Sequence, residues 1–126
     1  MQFAYTILYV DDVPQMMDFY HRAFGFEIHF LHDSKDWGEL ATGATKLSFC
    51  SRKLLAQTGT KAGKSDHRQP IFEIAFTTDD VPAAFKRAID AGAILVEDVK
   101  EMDWGQTISY VADPENNLVE ICSAVA

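Results

Sequence analysis

The sequence predicts an α+β fold of two βαβββ modules in tandem, and three repeated motifs predict it. Asp-Asp-Val-Pro begins at 11 and again at 79, an offset of 68. Asp-Trp-Gly begins at 36 and again at 103, an offset of 67, and Cys-Ser at 50 and again at 122, an offset of 72. Three matches in one order with a coherent shift mark an internal repeat. The extra residues in the last offset fall in the long turn Asp113-Pro114-Glu115-Asn116-Asn117.

Each element follows from local pattern. Phe3 to Val10 alternates and is rich in β-formers, giving a strand with Phe3, Tyr5, Ile7 and Tyr9 on one side. Asp11-Asp12-Val13-Pro14 then starts a helix, with an N-cap acid and a proline in the first turn, where its missing N–H costs nothing. Val13, Met16, Met17, Phe19, Tyr20, Ala23 and Phe24 recur at helical spacing, and Gly25 stops the helix. Phe26 to His32, Gly38 to Thr42 and Thr45 to Ser51 read as strands, separated by a polar turn at Asp33 to Asp36 and by Gly43. The order then recurs: Ile71 to Thr78 is a strand, Asp79-Asp80-Val81-Pro82 starts a helix, and Ala84, Phe85, Ala88 and Ile89 form its stripe up to Gly92. Ile94 to Val99 and a hairpin from Met102 to Ser123 complete the second module. On this reading the chain is a single domain, with module one at 1–51, a linker at 52–70 and module two at 71–126. The linker holds Arg52, Lys53, Lys61, Lys64 and Arg68 and reads either as a solvated connection or as a lid or anion-binding loop.

Composition bounds the function. A chain of 126 residues with 48% apolar and 24% charged residues can bury a core without disulfides or a structural metal. Its net charge of −8 argues against nucleic acid and against anionic membrane surfaces, which reward clustered Lys and Arg. There is no apolar run of about 20 residues to span a bilayer and no secretion signal at the start. Cys50 and Cys122 are too few for a disulfide scaffold, so the expected compartment is the cytoplasm, with both thiols reduced.

The repeat also points to a site. By the offsets Tyr5 corresponds to Glu73 and Ser48 to Glu120. By alternation Tyr5 shares a face with Ile7 and Tyr9, Glu73 with Ala75, Ser48 with Cys50, and Glu120 with Cys122. The opposite faces, with Leu47, Phe49, Ile74, Phe76, Val119 and Ile121, are expected to be core. Trp37 and Trp104, each followed by glycine, either pack in the core or wall an aromatic pocket with Tyr5, Tyr9 and Met102. Cys50 and Cys122 read as small pocket-facing apolar groups. The histidines stand apart from these positions: His21 on a helix surface, His29 and His32 on opposite faces of a strand, His67 in the linker.

The runs Ile7-Leu8-Tyr9-Val10-Asp11, Phe19-Tyr20 with Phe24-Gly25-Phe26, Ile74-Ala75-Phe76, and Asp113-Pro114 leading to Leu118-Val119-Glu120-Ile121 resemble the vicinal oxygen chelate superfamily. This family includes glyoxalase I, bleomycin-resistance proteins and extradiol dioxygenases. The resemblance covers nearly the whole chain and implies mixed curved sheets in a partly open barrel with the helices outside. It implies a small-molecule cavity between modules and a homodimer, often with the cavity shared between chains. In glyoxalase-like members the metal ligands are His or Gln and Glu on the first and last strands of each module. The matching positions here are Tyr5, Ser48, Glu73 and Glu120, and only Glu120 is the expected residue.

Three readings follow. In the first, the chain binds a small organic molecule without a metal or other cofactor, as bleomycin-resistance proteins do, and Glu73 and Glu120 meet a cationic group. One carboxyl pKa of that pair is then raised. In the second, Glu73 and Glu120 hold a divalent ion, Mg²⁺ or Mn²⁺ in preference to Zn²⁺, and serve a glyoxalase-like lyase or isomerase, or a dioxygenase. In the third, both carboxylates are structural and the pocket is vestigial.

Overall fold

The helix starts form as their sequences dictate. In α1 (Val13–Phe24) Asp12 is the N-cap, its carboxylate accepting from the Gln15 N–H at 3.1 Å, and Pro14 sits in the first turn. In the later helix Asp80 plays the same part for the Ala83 N–H, also at 3.1 Å, with Pro82 in the first turn. Gly25 closes α1 in the left-handed conformation that an L side chain resists, its N–H donating to the His21 carbonyl.

The computed structural model describes residues 1–125. They form two compact units, one at Met1–Gly63 and one from Lys64 onward. The first unit contains β1 (Tyr5–Val10), α1, β2 (Glu27–Leu31), β3 (Trp37–Ala41), β4 (Lys46–Ser51) and a short α2 (Arg52–Gln57). The second contains β5 (Glu73–Thr77), α3 (Val81–Asp90), β6 (Ile94–Glu101), β7 (Thr107–Ala112) and β8 (Leu118–Cys122). The sheet orders are β1-β4-β3-β2 and β5-β8-β7-β6. In each sheet the first and last strands pair in parallel and the remaining pairs are antiparallel. The α+β class and the doubled βαβββ order are therefore those expected.

In the first unit Val13, Met16, Met17, Phe19, Tyr20 and Ala23 of α1 are buried, together with Leu8, Val10, Leu40, Leu47 and Phe49 of the sheet. Tyr20 is the hub, with ring centroids 5.2 Å from Phe49 and 5.6 Å from Phe19. In the second unit Val81, Phe85 and Ala88 of α3 are buried, as are Val111, Val119 and Ile121. Ile74 and Phe76, expected in the core, are only half-buried. They lie on β5, an edge strand, while α3 packs over β6, β7 and β8.

The segment 52–70 also departs from a uniformly solvated linker. Its start is α2, capped by Ser51, whose Oγ accepts from the Leu54 N–H at 3.0 Å and donates to Asp36 at 2.7 Å. Arg52 pairs with Asp11 at 2.9 Å and donates to the Gly63 carbonyl. Beyond it, the Ser65 hydroxyl donates to Asn117 at 2.6 Å and His67 Nδ1 lies 2.8 Å from Asn116 Oδ1. The segment thus ends docked on the β7–β8 turn. That turn is built around Asp113, which is fully buried and whose carboxylate accepts from the Glu115 N–H, the Asn117 N–H and Asn117 Nδ2 at 2.9–3.0 Å.

The repeated Asp-Trp-Gly has two different structural meanings. Gly38 lies inside β3, where a Cβ would overlap the Met17 sulfur; Gly105 lies in the β6–β7 turn with φ +92° and open space around it. Gly38→Ala should therefore cost about 1–3 kcal/mol by overpacking, and Gly105→Ala about 1–2 kcal/mol by backbone strain. Urea denaturation of each substitution combined with Met17→Val provides the check. The Gly38 pair should be markedly less destabilised than the sum of its parts, and the Gly105 pair additive.

Candidate functional site

The strand register of the second unit gathers a carboxyl pair and a phenol on one sheet face. Parallel pairing of β5 with β8 sets Glu73 beside Leu118, Ala75 beside Glu120 and Thr77 beside Cys122. Antiparallel pairing of β7 with β8 sets Tyr110 beside Glu120 and Ile108 beside Cys122. Paired residues project to the same side, so Glu73, Glu120, Tyr110 and Cys122 share the face away from α3.

Their electrostatics are mutually unfavourable. Burial, then the Glu120 charge, pushes the Glu73 carboxyl above its ordinary 4.5, and a hydrogen bond with Tyr110 offsets part of this. Burial and the two carboxylates push the Tyr110 phenol up to about 12, so it stays neutral; it hydrogen-bonds with both. Burial and then the same two charges raise the Cys122 thiol, which donates a weak hydrogen bond to the Phe76 carbonyl at 3.7 Å. Neither glutamate is paired with Lys, Arg or His among the described residues. Such a face attracts positive charge and holds protons tightly.

Tyr110 is the site residue that the motif reading overlooks. The signal for it is the five-residue turn Asp113–Asn117, which is symmetric about Glu115 and therefore places residue 110 opposite 120.

The corresponding face of the first unit is aromatic. Tyr5, Ile7 and Tyr9 lie beside Lys46, Ser48 and Cys50, and Trp37 and Glu39 beside Cys50 and Ser48. The Tyr5 and Trp37 rings meet edge to face with centroids 6.0 Å apart. Cys50 is buried, and its thiol is pushed up by burial and then by Asp36. The two cysteines are thus protonated, weakly polar members of their faces.

Met102 and Trp104 are not on a sheet face. They sit in the β6–β7 turn, where Trp104 is 63% exposed and its Nε1 donates to Gln106 Oε1 at 2.9 Å. The residue that occupies the Trp37 position in the second sheet is Ile108, which pairs with Cys122 as Trp37 pairs with Cys50. The histidines are engaged elsewhere. His21 Nδ1 lies 2.8 Å from the Phe26 carbonyl, and His32 bonds Ser34. His29 sits at a register shift in β2 with Nε2 3.5 Å from Lys46 Nζ, so the bulge undoes simple alternation for that strand.

Glu73 and Glu120 are hard oxygen donors, but no group of three His, Cys, Asp or Glu side chains is gathered to hold a metal among the described residues. The nearest further donors are a neutral phenol and a protonated thiol. This donor set does not fit the metal centre that glyoxalase-like relatives imply.

The raised Glu73 carboxyl sets a pH dependence. Below 4.5 it is protonated in both folded and unfolded chains; as pH rises past 4.5 the unfolded chain ionises first and stability is lost until the folded carboxyl also ionises. Glu73→Gln should therefore be more stable than the wild type near neutral pH, with the gap closing as pH falls below the ordinary carboxyl value. Urea midpoints from about pH 3.5 to about pH 8 test this, and a Gln variant less stable near neutrality would refute the assignment.

The model of the Glyoxalase/Bleomycin resistance protein/Dioxygenase superfamily matches residues 2–121. The uncharacterized protein YraH of Bacillus subtilis (strain 168) is 25% identical over 117 residues, covering 90% of this chain and 91% of that protein. A glyoxalase-related enzyme from Fulvimarina pelagi superposes with a TM-score of 0.83 at 21% identity, over 98% of this chain and 88% of that one. A glyoxalase/bleomycin resistance protein/dioxygenase family enzyme from Burkholderia phytofirmans PsJN superposes with a TM-score of 0.78 at 25% identity, over 100% of both chains. The doubled βαβββ topology, the family match along nearly the whole sequence and these structural likenesses agree: the chain belongs to the Glyoxalase/Bleomycin resistance protein/Dioxygenase superfamily.

Proposed function

We propose that the chain binds a small organic cation without a metal, in the manner of the bleomycin-resistance branch of its superfamily, through Glu73, Glu120 and the neutral Tyr110. The observation that carries this is a pair of carboxyls on one sheet face with no basic side chain to balance them among the described residues. A protonated amine or amidine would supply the missing charge and donate hydrogen bonds to both carboxylates. The ligand-facing role assigned to Ala75 and Cys122 follows from their shared face; Met102 and Trp104 have no part in this reading. Free Cys50 and Cys122 suit a reducing compartment, the cytoplasm. No helix among the described residues is long and apolar enough to cross a membrane.

A second reading is favoured by the raised Glu73 carboxyl, which is a feature of general acids and bases. In it Glu73 moves a proton on a bound substrate while Glu120 and Tyr110 orient it.

Calorimetry separates these from metal-dependent lyase or dioxygenase chemistry. Benzamidine and tryptamine should bind saturably, and Glu120→Gln should weaken them by about tenfold or more; neither Mn²⁺, Ni²⁺, Zn²⁺ nor Fe²⁺ should bind at this pair. Saturable binding of one metal ion per chain, abolished by Glu120→Gln, would instead favour the metal-dependent reading.

We further propose that the chain pairs as a homodimer. Ile71 and Phe72 are solvent-exposed at the entry to β5, and Leu95 is exposed on β6. Sedimentation equilibrium at micromolar concentration should give twice the mass of the chain, and a strictly monomeric profile would end the proposal.

A further inference from the structure

The last part of the segment 52–70 closes over the β7–β8 turn and leaves a cavity beside it. Its docking bonds run from Ser65 to Asn117 at 2.6 Å and between His67 and Asn116 at 2.8 Å. The cavity, of about 160 Å³, lies between this segment, the entry to β5 and the start of β8. None of Glu73, Tyr110 and Glu120 lines it. There is room for one compact apolar group, since a cavity of about 150 Å³ holds a benzene-sized molecule. The hydrogen bonds that centre the turn on Asp113 fix one wall of it in place.

Its lining has two kinds of surface. Ile71, Phe72 and Leu118 supply an apolar wall, and Phe72, which precedes β5, is 42% exposed. Lys64 and Asp66 bring opposite charges, two positions apart on the docked segment. The Asp66 carboxylate is only half used: the Arg68 N–H at 3.0 Å and Arg68 Nε at 3.2 Å both donate to Oδ1. Those two bonds, the backbone one first, hold the carboxyl below its ordinary range and so ionised, and Oδ2 keeps its acceptor capacity. Asn116 is half used in the same way, with Oδ1 facing His67 and Nδ2 left to donate. The Lys64 ammonium has three N–H donors to distribute.

An anion alone would meet Asp66, a cation alone would meet Lys64, and a wholly apolar molecule would leave both without use. A ligand that carries both charges beside a short apolar chain answers all three surfaces. We propose that this cavity binds a zwitterionic α-amino acid with an apolar side chain. The ligand's ammonium goes to Asp66 Oδ2, its carboxylate to Asn116 Nδ2 and Lys64, and its side chain to Phe72 and Leu118. The site shares no residue with the cation-binding reading, so it goes beyond that reading and stands or falls separately from it.

Calorimetry in a Glu120→Gln background, which removes the carboxyl pair as a place for amines, compares L-leucine with two truncated forms of it. Isocaproate lacks the ammonium and isoamylamine lacks the carboxylate. Leucine should bind saturably, and each analogue about fivefold more weakly, the value of one partly exposed ionic contact. Asp66→Asn should weaken leucine and leave isocaproate unchanged; Lys64→Gln should weaken leucine and leave isoamylamine unchanged. Glycine, with no side chain to bury, should bind about tenfold more weakly than leucine or worse. In heteronuclear NMR, leucine should move the backbone amide signals of Ile71 and Phe72. The proposal is overturned if leucine does not bind saturably, if either analogue matches it, or if those two signals stay in place. Ile71 and Phe72 also belong to the dimer surface proposed above, so the protein is titrated in its native oligomeric state. A partner chain that filled the cavity would give the first of these overturning results.

Discussion

The parallel pairing of the first and last strands of each unit is the constraint on which everything else rests. It brings β1 against β4 and β5 against β8 across most of a module's length in sequence, and it sets Ala75 beside Glu120 and Ile7 beside Ser48. Parallel strands cannot be joined by a tight turn. The intervening helix and two strands are what carry the chain back, and the helix covers one face on the way. The opposite face is thereby left uncovered by that helix, with its residues delivered from both ends of the module.

One backbone frame then carries two kinds of surface. The positions filled by Tyr5 and Ser48 in the first unit are filled by Glu73 and Glu120 in the second, and Glu39 beside Ser48 gives way to Tyr110 beside Glu120. The first face therefore offers aromatic area and a neutral hydroxyl, and the second offers acceptors and negative charge. The cysteines hold the same place in both, and burial keeps their thiols protonated in each. Equivalent frames with different side chains are what separates ligand classes within a shared fold.

The fold was legible because two of the three repeated motifs coincide with structural equivalence. Asp-Asp-Val-Pro caps both helices, and Cys-Ser ends both terminal strands, so their offsets make Tyr5 the counterpart of Glu73 and Ser48 the counterpart of Glu120, as the strand registers do. Asp-Trp-Gly misleads: Trp37 lies in a strand and Trp104 in a turn, because β6 is longer than β2 and carries register shifts that the motif does not register. The same kind of irregularity at His29 defeats alternation in β2. Helix α2 was hidden by composition, since Arg52-Lys53 reads as solvated chain until Ser51 is seen to cap Leu54 and Arg52 to find Asp11. Tyr110 required pairing two strands through their turn, a relation between residues rather than a property of any one.

The contrast between two acidic sites in the second unit bears on whether Glu73 and Glu120 are structural. Asp113 is fully buried, and three donors from its own turn converge on its carboxylate, with the turn in turn holding Ser65 and His67. A carboxylate satisfied in this way contributes to the fold and has little capacity left for a ligand. The glutamate pair is the reverse: burial and mutual repulsion raise Glu73, and the bridging group is a phenol that both carboxylates must share. An arrangement that costs stability and retains unused acceptor capacity is better suited to binding than to folding. The same logic applies on the other sheet, where Ser48 is buried without a partner although Ser109, on the opposite side of β7, donates to the Ile121 carbonyl at 2.8 Å. Ser109 lies on the face beneath α3 and Ser48 on the face that α1 leaves uncovered, so of these two buried hydroxyls the one under the helix is satisfied and the one on the open face is not.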